Sequence, residues 1–278
     1  MKDKFLNFVR GVIIGLANII PGISGATLAV SLGLYENIID ALGSFFKNKS
    51  KSFYFLLPIC LGILIGVLSS SRLIDFCINK YYVQTIMFFI GLILGGMKLY
   101  VRKMSNTFNF KNILISLFVS GFVILSSLLI PKVSSVSFES ITVVGLIVLL
   151  LVGILCGAIM IVPGISGAMM LIVVGYYEPL IDVLSDIMSF RDLGINLLMV
   201  FIFIIGFLIG MFTIAQLIYK YFKKYEVKFR FVVLGLIFSS IIVLLLQIES
   251  FNISLLSIIS CFIILCWGYL LAINIDKE

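Results

Sequence analysis

Apolar residues do not alternate with polar ones along this chain but run on in long blocks. Continuous apolar stretches fall near 53–71, 84–101 and 112–130, and again near 195–218, 229–246 and 252–273. Each is long enough to cross the hydrocarbon core, which takes roughly 20 helical residues. Two further apolar stretches, 11–42 and 153–184, are interrupted by one hexapeptide, PGISGA, at 21–26 and 163–168. Proline lacks an amide donor and glycine weakens a helix, so the helix is expected to break there, at membrane depth. Irregular backbone at that depth survives only inside protein or beside a wet cavity. The pieces after the break, 26–35 and 168–177, each make about 15 Å of helix at 1.5 Å per residue. That is half a bilayer, so each motif is expected at the tip of a re-entrant helical hairpin.

The two interrupted stretches are copies. Residues 11–42 align without gaps on 153–184, with 15 of 32 positions identical, including PGISGA, Gly33/Gly175, Tyr35/Tyr177, Glu36/Glu178 and Asp40/Asp182. A bias toward Leu, Ile and Val does not match Pro, Gly, Tyr and acidic residues. At an offset of 144, Gly62, Gly66, Tyr81 and Gly91 fall on Gly206, Gly210, Tyr225 and Gly235. The chain therefore reads as two homologous halves, 1–136 and 137–278, each a re-entrant hairpin plus three spans. An odd number of crossings per half inverts the second half relative to the first. The expected fold is an all-α integral membrane protein with an inverted-topology repeat, about six spanning helices and two re-entrant hairpins.

Charge supports that count. With the N-terminus cytoplasmic, the inner segments hold 16 of the 20 basic residues, among them Lys47, Lys49, Lys51 and the run Lys220–Arg230. The outer side keeps Arg72, Lys80, Lys132 and Arg191 beside Glu178, Asp182, Asp186, Asp192 and Glu249. Both termini are thus expected in the cytoplasm. The net charge of +7 is explained by these loops, and no nucleic-acid partner is expected. The basic N-terminus followed by an apolar run looks like a signal peptide, yet the same run recurs internally and is expected to be structural.

Composition narrows the chemistry. Hydrophobic residues make up 62% of the chain and charged ones 12%, about half the share of a soluble domain. Histidine is absent, which excludes Ser-His-Asp catalysis and His-ligated metals. The five cysteines show no Cys-x-x-Cys spacing and read as small core hydrophobes. No metal or cofactor is expected. Gly22-Ile23-Ser24-Gly25 spells the G-x-S-G of rhomboid-type intramembrane proteases, but there is no histidine base and the lysines lie at loops or span ends.

In an inverted repeat the two tips meet near the midplane, where such transporters place their substrate. Backbone amides opening each half-helix would face that point, an arrangement suited to an anion such as phosphate. The expected substrate-binding residues are Gly22, Ile23, Ser24, Gly25, Ala26 and Thr27 with Gly164, Ile165, Ser166, Gly167 and Ala168. Arg72 is added as a headgroup-binding arginine on the outer side, although a residue so placed also snorkels to the interface. Glu36 and Glu178, in the matched Gly-x-Tyr-Glu, are read either as proton-coupling carboxylates or as solvated interfacial ones. Asp40 and Asp182, one turn on, are expected to be plain interface residues.

The doubled sequences PGISGATLAVSLGLYE and PGISGAMMLIVVGYYE resemble the DUF368 family of bacterial membrane proteins. The resemblance covers nearly the whole chain; one departure is Ala26, where the family often has a second glycine. It implies a multi-pass protein of the bacterial cytoplasmic membrane that is not an enzyme. The implied function is transport of undecaprenyl phosphate, a polyprenyl-phosphate lipid, back across the phospholipid bilayer for cell-wall synthesis; coupling to protons is an expectation carried by Glu36 and Glu178. The alternative left open by the residues is a secondary transporter or channel for a small soluble anion.

Overall fold

The structure, a computed structural model, describes residues 2–18, 20, 22–102, 104, 107–129, 142–248 and 255–276. The side chains of residues 70–75, which include Arg72, lie outside the described set, as do Pro21 and the expected boundary between the halves at 136/137. Every element among the described residues is an α-helix. The first half holds α1 (Lys2–Asn18), α2 (Gly25–Ser31), α3 (Tyr35–Gly43), α4 (Lys49–Arg102) and α5 (Phe110–Leu129). The second holds α6 (Val143–Met160), α7 (Gly167–Val173), α8 (Tyr177–Met188), α9 (Leu193–Lys224), α10 (Glu226–Leu246) and α11 (Leu255–Asp276). The halves differ by one helix only because α4 runs through a kink. That kink is at Tyr81, with φ −135° and ψ 45°, and its repeat partner Tyr225, with φ −134° and ψ 46°, separates α9 from α10.

Among the described residues seven helices are long and apolar enough to cross a membrane: Lys49–Ser69, Lys80–Arg102, Phe110–Leu129, Val143–Met160, Leu193–Lys224, Glu226–Leu246 and Leu256–Ile275. Six of these coincide with the six apolar stretches. The seventh, α6, is the arm that leads into the second motif, and its 18 residues meet the length requirement by themselves.

The helices pack through glycine. A Cβ added at Gly11 or Gly15 on α1 would strike the backbone of α4 at Ile59 or Ile63, and one at Gly62 or Gly66 would strike α1. The second half repeats this contact with Gly153 and Gly157 on α6 against Gly206 and Gly210 on α9. Without a hydrophobic drive between helices in lipid, close backbone approach supplies the packing energy. The later spans are exchanged between halves: the C-terminal part of α4 packs on α11 across Gly91 and Gly268, and α10 packs on α5 across Gly235. Large apolar side chains such as Phe118, Phe122, Phe201, Phe262 and Trp267 stay exposed, as expected of helices that are apolar all round. The principal core gathers around α2, α3 and the middle of α4 and α10, with Leu28, Leu32, Ile86, Leu92, Phe231 and Ile237 fully buried.

Candidate substrate site at the paired motifs

Each motif folds in the same way, for the same local reasons. Gly22 and Gly164 have φ of 92° and 87°, a left-handed conformation that costs other residues about 1–2 kcal/mol. Ser24 and Ser166 then act as N-caps, their hydroxyls accepting from the amides of Thr27 and Met169 at 3.4 Å. The helices that follow are shorter than expected, seven residues each or about 10 Å. Gly33 and Gly175 end them, with φ of 69° and 77°. In the first, the Gly33 amide donates to Val30 O at 3.0 Å and the Leu34 amide to Ala29 O at 2.8 Å. The second repeats this with Gly175 to Ile172 at 3.1 Å and Tyr176 to Leu171 at 2.9 Å. This is the glycine-terminated C-cap, and the chain turns sharply after it: α7 and α8 meet at 108°.

The motifs touch. The Gly164 amide donates to Thr27 Oγ1 at 2.7 Å, across 137 residues of chain. Thr27 is thus held by the opposite motif, while its own carbonyl accepts from Ser31 Oγ at 3.1 Å. Of the expected site residues, Thr27 and Gly164 are the pair joined across the motifs; Gly22, Ile23, Ser24, Gly25 and Ala26 lead up to Thr27 in the first motif, and Ile165, Ser166, Gly167 and Ala168 follow Gly164 in the second. The surroundings of the two tips differ. The side-chain amide of Gln247 lies against Gly22 and that of Asn18 against Gly25, each in the space a Cβ would occupy. At the second tip Gly164 faces the Leu236 carbonyl, 2.5 Å from where a Cβ would sit, and Gly167 faces Met160 and Cys156. The sequence matches Asn18 with Met160 and Thr27 with Met169, so the first tip is polar-lined and the second is lined by methionine. All of α2 is buried, whereas Met170 is the buried residue of α7.

Glu36 and Glu178 occupy different settings. Glu36, at the start of α3, accepts from Arg230 Nε at 3.1 Å and Nη2 at 3.3 Å. Arg230 also reaches Glu226 at 2.8 Å, one turn back on α10. The planar guanidinium fork binds a carboxylate in this two-point manner, and here it ties one half of the chain to the other. Glu178 is exposed. The residue that matches Arg230 in the first half is Ile86, fully buried, so no equivalent arginine is available there. Beside Glu36 a small cavity of about 120 Å³ is lined by Ser31, Tyr35, Asn37 and Tyr100. The Tyr35 hydroxyl is buried with no hydrogen-bond partner. Arg230, Asn18 and Gln247 were not singled out from the sequence. Arg230 looked like one more cytoplasmic charge, although it lies one residue inside an apolar stretch. Among the described residues no group of acidic or sulfur side chains is placed to hold a metal.

A sequence profile described as VCA0040-like, undecaprenyl phosphate translocase-like, matches residues 14–257. The chain is 30% identical over 246 residues to the polyprenyl-phosphate transporter of Staphylococcus aureus (strain NCTC 8325), covering 86% of this chain and 85% of that protein. It is 23% identical over 247 residues to the polyprenyl-phosphate transporter of Vibrio cholerae serotype O1, covering 81% and 74%. No solved structure matches it significantly.

Proposed function

The chain belongs to the undecaprenyl phosphate translocase-like family, and from that membership we propose that it moves a polyprenyl phosphate across the bacterial cytoplasmic membrane, returning the carrier for reuse in cell-wall synthesis. The observation that carries this reading is the contact between motifs, Gly164 N–H to Thr27 Oγ1 at 2.7 Å. It puts two helix-opening turns beside each other, with the remaining amides of Gly25, Ala26, Gly167 and Ala168 available to an anion. A phosphate between the tips takes over the Gly164 amide and the Thr27 hydroxyl, while its polyprenyl tail stays in lipid. Arg72 receives or releases the headgroup at the outer side.

Transport needs the site to face each leaflet in turn. The halves 1–136 and 137–278 act as an inverted pair, and rocking one against the other alternates access. The reciprocal packing of the α4 C-terminal part on α11 and of α10 on α5 supports that relation. Arg10 donates to the Ile275 carbonyl at 3.0 Å, which sets the two chain ends on one face and supports cytoplasmic termini together. Glu36 and Glu178 are the coupling carboxylates: a proton on Glu36 removes its charge and one of the two acceptors that hold Arg230, loosening α3 from α10. No bond is made or broken in the lipid, so the protein is a transporter and not an enzyme. The test is purified protein in liposomes with leaflet-resolved measurement of undecaprenyl phosphate. Accelerated flipping supports the reading. Uptake of inorganic phosphate without lipid movement would replace it with a soluble-anion carrier.

A further inference from the structure

We propose a second phosphate station, at the face bearing the basic loops, that accepts phosphates carrying a P–OH and turns away phosphodiesters. It deepens, and rests on, the lipid-phosphate reading above. The station is a cavity of about 480 Å³ between α3, the start of α4 and the end of α9, so both halves of the chain line it. Lys51 enters from α4 and Lys223 from α9, each contributing a positive charge. Asn48 and the buried Ser52 add neutral polar groups. The Lys223 ammonium is held 4.7 Å above the Tyr219 ring, and α3 approaches α9 closely because Gly43 abuts Tyr219 directly.

The same cavity holds one carboxylate, Asp40. The Asp40 backbone carbonyl is occupied by Ser44, whose hydroxyl donates to it at 2.6 Å. Its Oδ1, however, is buried with no hydrogen-bond partner. A buried acceptor left unmade is costly, and in a cavity meant only for an anion a carboxylate is misplaced. A ligand that is anionic and also brings a donor satisfies every group. The monoanion of a phosphate monoester does so: its P–OH donates to Asp40 Oδ1 and its other oxygens accept from Lys51 and Lys223. Bulk phospholipids are phosphodiesters with the same charge and no P–OH, so their oxygens meet the Asp40 carboxylate with no proton between them. Like charges brought together without a shared proton are the repulsive element that selectivity requires. Asp40 therefore distinguishes a lipid monophosphate from the phospholipids that surround it in great excess. Inorganic phosphate has the same P–OH chemistry.

The test is lysine footprinting of the purified full chain in detergent micelles at about pH 6, where roughly half of a phosphate monoester keeps its second proton. Amine acylation is read at Lys51 and Lys223 by mass spectrometry, with the exposed Lys47 and Lys224 as references outside the cavity. Dodecyl phosphate should protect Lys51 and Lys223 at concentrations about tenfold below those needed for its methyl ester. In Asp40→Asn the two probes should protect alike. Inorganic phosphate protecting only at far higher concentration assigns the station to the lipid, and equal potency assigns it to the free anion. Equal protection by monoester and diester in the parent protein, or by neither, overturns the proposal without recourse to the variant. Liposome flipping measured on the same preparation separates the two readings. Flipping with unselective protection removes this station alone, and selective protection without flipping removes the transport reading.

Discussion

Replacing Thr27 by valine isolates the contact on which the transport reading rests. Thr27 is fully buried, and valine keeps its volume and branching while removing the hydroxyl. Two neighbouring hydrogen bonds survive, because the Ser24 cap uses the Thr27 amide and Ser31 uses the Thr27 carbonyl. What is lost is the 2.7 Å bond from the Gly164 amide, which leaves a partly buried donor unpaired. Such a loss costs about 1–3 kcal/mol, equivalent to roughly 5- to 150-fold in a local equilibrium. Amide exchange read on a peptide containing Gly164 reports that equilibrium directly. Exchange at Gly164 should therefore quicken by that factor in Thr27→Val and return to the parental rate in Thr27→Ser, which restores the hydroxyl. Amides of α11, which packs on the C-terminal part of α4, should not change. Equal Gly164 protection in Thr27→Val and the parent would show that the motifs are not joined by this bond in the folded protein, and the shared site would lose its support.

Gly22→Val and Gly164→Val should both stop flipping, since each forces a branched residue into a left-handed conformation at about 1–2 kcal/mol. Both should lower the thermal midpoint, Gly164→Val the more, because its side chain also meets the Leu236 carbonyl, whereas at Gly22 it meets the movable Gln247 side chain; thermal denaturation and the liposome assay check both, and parental flipping by Gly22→Val would remove that glycine from the site. Glu36→Gln should weaken the tie to Arg230 by about 1 kcal/mol, a modest figure because the pair is partly exposed, and Arg230→Lys should cost nearly as much by losing the fork. Flipping rate against an imposed pH gradient, measured for Glu36→Gln, Glu178→Gln and the double variant, tests coupling: an unchanged gradient response in the double variant excludes both glutamates.

Much of the fold was legible because glycine and proline leave marks that hydrophobic bias cannot imitate. The doubled PGISGA predicted two interrupted helices, and matched positive φ values at Gly22/Gly164 and Gly33/Gly175 account for both copies. The lengths of the half-helices were not legible. Gly33 and Gly175 were recognised as repeated but not as terminators, and a terminator at those positions shortens each piece to seven residues. The glycine pairs at 62/66 and 206/210 have the four-residue spacing of close helix packing, whereas nothing in the sequence says that they meet Gly11/Gly15 and Gly153/Gly157. Pairing across the chain was hidden for a different reason. That Glu36 meets Arg230, or Gln247 meets Gly22, depends on where separate helices pack, and no local pattern carries that.

The difference between the two motifs follows from a few divergent positions set against an identical hexapeptide. Asn18 and Thr27 in the first half stand where Met160 and Met169 stand in the second, and Arg230 in the second stands where Ile86 stands in the first. Thr27 can accept from the opposite motif and Met169 cannot. Arg230 can clamp the first Gly-x-Tyr-Glu, while Ile86 offers nothing comparable to the second. Polar side chains therefore accumulate on the first tip, and a wholly buried α2 closes over them. Two copies of equal sequence could exchange roles at no cost, giving equal populations of the two orientations. Unequal copies bias that exchange, and a bias of about 1–2 kcal/mol, the size of one ion pair or one hydrogen bond, already makes one orientation five to thirty times more populated. If the halves alternate as proposed, the divergent positions Thr27/Met169 and Arg230/Ile86 are expected to decide which arrangement is the more populated.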